Sequence, residues 1–295
     1  MKSYKWVVTA LLLISPWVSA KQSLPHSLEV PADVRVVVEN MRGKVQIRGV
    51  DGTKAAIRGE VDKHAEDFIV ALDGNTLTVK VVMPKRGNYN DEHGSDLEIQ
   101  LPRGASVEVR GISMDVLVSQ LSGATWVSTV SGDIKLNRLS GAVRVESVSG
   151  DIDDRDNTSS QVSYKSTSGD IKVQSSSDDV TLETVSGDIE GRLAVINRLA
   201  TNTVSGDIDL ELQLNRQATL TANAVSGDIE LKLKGEVHAD LSLQANASGT
   251  IRNGLNNQPV VKPQYGPGEQ LQIKVGDGTA RVRVNTISGD IKVNN

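Results

Sequence analysis

Six aspartates stand at a nearly fixed interval in this chain, each directly after a glycine: Asp133, Asp151, Asp170, Asp188, Asp207 and Asp228. Each closes a Ser-Gly-Asp triplet, and a seventh triplet spans residues 288–290. Carboxylates repeated in this way have three chemical uses. They can bind cations along a row, attract a basic partner, or serve as acid and base on a polysaccharide. Neighbouring unit charges ~4.8 Å apart repel by about 1 kcal/mol in water, so something must offset a stacked row. One expectation is that each carboxylate accepts local backbone N–H bonds at a turn and splays outward.

The spacing dictates what holds the row. The triplet glycines are Gly132, Gly150, Gly169, Gly187, Gly206, Gly227 and Gly289, and the first six lie 18, 19, 18, 19 and 21 residues apart. A period near twenty marks one unit stacked many times. A unit this short buries its apolar side only against its neighbours. Short runs alternate apolar and polar residues, β-branched types are common, and no long 3.6-residue period occurs, so strands are expected throughout. Identical strands one coil apart are parallel neighbours. The expected fold is all-β, a parallel β-solenoid with an irregular β N-terminal part.

Alternation along each strand puts Val130, Gly132, Ile134 and Leu136 inside and Ser131, Asp133 and Lys135 outside. Parity breaks upstream, where Val143, Val145 and Ser147 share one face and Val148 begins the other. A bend is therefore expected there, marked by Thr129, Ser147, Ser166, Thr184 and Thr203. Hydroxyls at that corner can bond to freed backbone groups. The glycine is read either as a special backbone angle or as an inward position without room for a side chain; parity favours the second. Ser122-Gly123-Ala124 and Ser140-Gly141-Ala142 fall nine residues from triplets, so those coils have two related halves.

The ends differ. Residues 1–20 read as a signal peptide: Lys2 and Lys5, an apolar Val7–Val18, and a small-residue site ending at Ala20. The apolar run is shorter than the ~20 residues that span a bilayer, so cleavage is expected and no transmembrane segment remains. Residues 21–110 form an N-terminal β region capping the solenoid, with a short helix expected near Asp62–Phe68. Residues 111–295 form the repeat body, with a Pro- and Gly-rich loop inserted at 256–269 that carries Tyr265. Gly249 follows Gly227 by 22 residues and precedes Gly289 by 40, which reads as a lengthening coil and then room for two more. The last triplet then forms a terminal coil with an open edge.

Composition narrows the function. Without Lys2 and Lys5 the chain has 30 basic and 37 acidic residues, a net charge of −7, which disfavours a nucleic-acid partner. There is no cysteine, so neither disulfides nor thiol chemistry enter. His26, His64, His93 and His238 match no metal or triad spacing, and no nucleophile-elbow or zincin motif occurs. No catalytic residue, metal ligand or cofactor is assigned. Trp126 reads as a surface aromatic for a sugar or protein, or as a cap on the core; Tyr164 falls on a strand before the corner.

Leu28-Glu29-Val30-Pro31-Ala32, Val45-Gln46-Ile47-Arg48-Gly49, Asp73-Gly74-Asn75-Thr76-Leu77 and Leu101-Pro102-Arg103-Gly104-Ala105 precede the Val-Ser-Gly-Asp-Ile repeats. That order resembles the putative-adhesin β-strand-repeat family, a bacterial domain of unknown function, over roughly residues 27–295. The resemblance implies a right-handed β-helix-like fold and an envelope or surface location, and transfers no site residues. The expectation is an exported, non-catalytic scaffold, periplasmic, surface-bound or secreted, that binds an unknown envelope protein or polysaccharide through its repetitive face. The alternatives are a calcium-binding β-roll and a polysaccharide-acting enzyme. A β-roll places Asp two residues after Gly, whereas Asp follows Gly directly here. A singular catalytic pair is the opposite of a repeated carboxylate.

Overall fold

The structure is a computed structural model that describes residues 24–86, 93–247, 249–262 and 267–295. The expected signal peptide and Tyr265 lie outside those residues. Every regular element among the described residues is a β-strand. The first are β1 (His26–Glu29), β2 (Arg35–Val50), β3 (Lys54–Glu60), β4 (Asp67–Asp73), β5 (Thr76–Val82), β6 (Ser95–Pro102) and β7 (Ser106–Ser119). β2 lies between the β5–β6 coil and β7, parallel to all three. β4 runs antiparallel to β5, and β3 antiparallel to β6 and β1, so this end of the stack finishes in reversed strands. The helix expected near Asp62–Phe68 is absent. Only six residues join β3 to β4, enough for a turn that Asp62 organises by accepting the His64 N–H at 2.9 Å.

From β7 onward each coil gives one strand to each of two facing sheets. One sheet receives β8 (Thr125–Ser131), β10 (Val143–Ser149), β12 (Gln161–Lys165) and β14 (Asp179–Glu183). The other receives β9 (Ile134–Asn137), β11 (Ile152–Asn157) and β13 (Ile171–Ser175). β15 (Ile189–Ser205) and β16 (Ile208–Ser226) bend to supply both. All these neighbours pair in parallel. Ile134, Ile152, Ile171, Ile189 and Ile208 therefore lie directly over one another, each buried. The sheets close on rows of Val, Ile and Leu because side chains two apart on a strand share a face, and stacking repeats that face. This is the all-β parallel solenoid that the period implies.

The corner differs from the sequence expectation. Thr129 is buried and Val130 is 47% exposed, as are the equivalent Val148, Val185, Val204 and Val225 to similar degrees. Parity changes at the glycine, not before it. Gly132 and Gly150 have φ of +111° and +126°, which breaks the alternation, so five positions separate inward Thr129 from inward Ile134. The triplet glycine is half-exposed at the turn itself, not on the inner face. It is still crowded, because a Cβ on Gly150 would be driven into the Gly132 carbonyl of the coil below. Inside the bend, Thr184 Oγ1 donates to the Gly169 carbonyl at 3.3 Å and Thr286 Oγ1 to that of Gly227 at 3.1 Å.

The far end contains β17 (Ile229–Leu233), β18 (Ala239–Ala245), β19 (Ile251–Asn253), β20 (Glu269–Val275), β21 (Ala280–Ser288) and β22 (Ile291–Asn294). The order in space is not the order in sequence. β21 inserts between β16 and β18, and β22 between β17 and β19. Gly289 thus sits on Gly227 and Gly249 on Gly289. The last triplet is internal, and β20 covers β18 as an antiparallel strand.

Candidate functional site

The aspartate row is a continuous ladder. The N–H of Asp133 donates to Asp115 Oδ1 at 3.0 Å, and that of Asp151 to Asp133 Oδ1 at 3.2 Å. The pattern repeats at Asp170, Asp188, Asp207, Asp228 and Asp290, at 2.7–2.9 Å. It stops at Thr250, whose N–H donates to Asp290 Oδ1 at 2.8 Å. Each carboxylate therefore accepts from the next coil, not from its own turn. A hydrogen bond to a charged group contributes about 1.5–3 kcal/mol, which outweighs a screened repulsion of about 1 kcal/mol between neighbours. The ladder also explains the crossed end. A coil carrying Thr250 in place of aspartate can receive the bond but cannot pass it on, so it belongs outermost. Burial contributes little at Asp290; the Thr250 N–H holds its carboxyl below the usual range.

Two members escaped the sequence reading. Asp115 lies 18 residues before Asp133 but follows Met114, so a search for glycine passes over it. Asp290 belongs to the last triplet but joins Asp228 across 62 residues.

A second row on the outer face, two residues past the ladder, brings together Lys135, Asp153, Lys172, Glu190, Asp209, Glu230 and Lys292 in register. Lys292 Nζ lies 2.6 Å from Glu230 Oε1. Partial burial, with Glu230 and Glu190 on either side, pushes the Asp209 carboxyl up. Beside the aspartate ladder runs a third feature that alternation had placed inside. Ile112, Val130, Val148, Val185, Val204, Val225 and Ile287 are each 44–54% exposed along one corner of the solenoid. Register places them in line, with Thr167 standing between Val148 and Val185, since Ser113, Ser131, Ser149, Ser168, Ser186, Ser205, Ser226 and Ser288 pair coil to coil. Carboxylates and aliphatic groups thus share one edge of the molecule.

Tyr164 and Trp126 part company. Tyr164 is fully buried and its hydroxyl donates to Asp154 Oδ2 at 2.6 Å across the two sheets. Burial pushes the Asp154 carboxyl up to about 7, Tyr164 pulls it back, and Asp153 raises it further. Trp126 faces outward at 37% exposure. His64 and His238 lie in separate places, beside Asp62 and Asp277. Among the described residues no three His, Asp or Glu side chains converge as a metal-binding group, and no helix is long and apolar enough to cross a membrane.

No curated protein matches the chain. Three solved structures are similar in outline. A putative adhesin from Bacteroides fragilis is 16% identical with a TM-score of 0.48, over 93% of this chain and 98% of that one. A putative cell adhesion protein from Clostridium sporogenes is 11% identical with a TM-score of 0.24, over 92% and 98%. A putative lipid binding protein from Parabacteroides distasonis is 15% identical with a TM-score of 0.42, over 92% and 97%. The family model described as Toastrack DUF4097, a domain of unknown function, matches residues 34–294, nearly the whole of the stacked structure. The chain belongs to the Toastrack DUF4097 family.

Proposed function

We propose that the chain is an exported, non-catalytic scaffold that binds an envelope or surface protein through its Ser-Gly-Asp corner. The observation that carries this reading is the line of seven exposed aliphatic side chains beside the aspartate ladder. An exposed apolar line of this length, broken only at Thr167, marks a contact face. Its acidic flank suits a partner segment that alternates apolar and basic side chains, and repetition gives many weak equivalent contacts. The absence of a catalytic role fits the same geometry, since each ladder Oδ1 is engaged by a backbone N–H and no member is set apart. Residues 21–110 then serve as a cap, supported by the antiparallel strands β1, β3 and β4 at that end.

The test replaces Val148, Val185 and Val204 together with threonine, which keeps the β-branch and removes the apolar contact. Wild type and variant are cross-linked in envelope extract and the captured components compared. The reading expects a component that is lost in the variant and weakened at high salt, with thermal stability within about 1 kcal/mol because these positions are exposed. Identical captures from both proteins would contradict it.

A further inference from the structure

Trp126 lines a groove of about 470 Å³ on the outer face of the first sheet, within the ~300–1,000 Å³ range of small-ligand sites. Phe68 is buried, so this indole is the one Phe or Trp with a half-exposed ring among the described residues. Its surroundings are fixed. Glu108, with a side chain only 6% exposed, is gripped by Arg35 Nη2 at 2.7 Å and by Arg110. The Arg110 guanidinium in turn sits 5.6 Å from the Trp126 ring centroid, a cation–π contact. Ala124 and Ala142, both small and exposed, leave the space open, and Arg144, Gln161 and Ser163 offer polar groups along it.

We propose that this groove binds an uncharged pyranose unit of a polysaccharide. A pyranose has an apolar C–H face and a rim of hydroxyls. The indole suits the first, and planar amide and guanidinium groups suit the second. Charge selects the class. The ionisable residues lining the groove are Asp33, Glu108, Arg35 and Arg144, two acids and two bases. Arg144 is paired with Glu146 outside the groove, and Arg110 joins Arg35 on Glu108, so with Asp33 three acids face three bases and no net field favours an ionic ligand. The site is singular, lies away from the corner, and goes beyond the protein-binding reading of that edge.

The test titrates the full chain with cellotetraose, maltotetraose and chitotetraose, using calorimetry and tryptophan emission. Subtracting the Trp126→Phe signal removes any contribution from Trp6 and Trp17. At least one neutral oligosaccharide is expected to bind saturably and to shift Trp126 emission. Trp126→Ala should weaken it roughly tenfold or more, the scale of a lost aromatic contact. Ala142→Leu should do the same by filling the groove, at an exposed position where the fold is not at stake. The threonine triple variant at the corner should bind the sugar as wild type does, which separates this site from the corner. No saturable binding by any of the three, or unchanged binding in Trp126→Ala and Ala142→Leu, would overturn the proposal.

Discussion

Gly150→Ala is expected to destabilise the protein by about 4 kcal/mol, far more than Gly52→Ala. The two glycines have nearly the same backbone angle, φ +126° and +116°. A side chain in that region costs about 1–3 kcal/mol wherever it occurs. The surroundings differ. A Cβ on Gly52 meets nothing within 4 Å, whereas one on Gly150 runs into the Gly132 carbonyl. Relieving that clash means lifting one coil off the next, and overpacking of this kind adds about 1–3 kcal/mol. The lift also strains the bond from the Asp151 N–H to Asp133 Oδ1, 3.2 Å long in the native corner. Urea denaturation of both variants reads the difference directly. Equal losses would mean that the glycine serves only its own backbone angle and that the coils are not in contact there.

The second large effect belongs to Asp154. It interrupts an aliphatic column, lying between Leu136 on β9 and Val173 on β13, and is 1% exposed. Burial raises its carboxyl to about 7 from an ordinary value of 3.8. The folded protein therefore holds this proton more tightly than the unfolded chain does. That contribution to stability is complete below about pH 4 and is lost as pH rises through about 7, with a total on the order of 4 kcal/mol. The carboxyls held low, such as Asp62 beside Arg42, act in the opposite sense and only at more acidic pH. Melting followed from pH 4.5 to 8 should therefore show stability falling with pH. Asp154→Asn, which keeps an acceptor for the Tyr164 hydroxyl without a charge, should flatten the profile and melt higher than wild type at pH 8. A variant no more stable than wild type at pH 8 would mean that Asp154 is not held in a dry site.

The period of the triplets was enough to read the stacked columns, because identical units two strands long have one simple way to share a core. Ile134, Ile152, Ile171 and Ile189 are aligned as that reading requires. The corner was misread for a definite reason. Counting alternate residues assumes negative φ throughout, and one glycine at positive φ turns Val130 and its equivalents outward. The same error hid the exposed aliphatic line. The crossed end was obscured because Gly249 and Gly289 look alike as spacers. Thr250 standing where an aspartate belongs was the legible sign that its coil is terminal. The pairing of Asp154 with Tyr164 could not be read at all, since it joins opposite sheets and depends on how they face. Alternation left Trp126 open between a surface aromatic and a cap on the core; the structure turns it outward, and its setting by Glu108 and Arg110 arises from neighbouring coils.

The chain has no cysteine, so spin labels can be placed at will. Doubly labelled pairs Val130→Cys with Val204→Cys, Val225→Cys or Ile287→Cys lie four, five and six coils apart along the corner. Electron–electron distance measurements should give separations near ~19, ~24 and ~29 Å, rising by one strand spacing per coil. The step from residue 225 to 287 should equal the step from 204 to 225, despite covering three times as much chain. A Val130–Ile287 distance far longer than this, or one too broad to define, would contradict the aligned stack on which the ladder, the corner and the groove all rest.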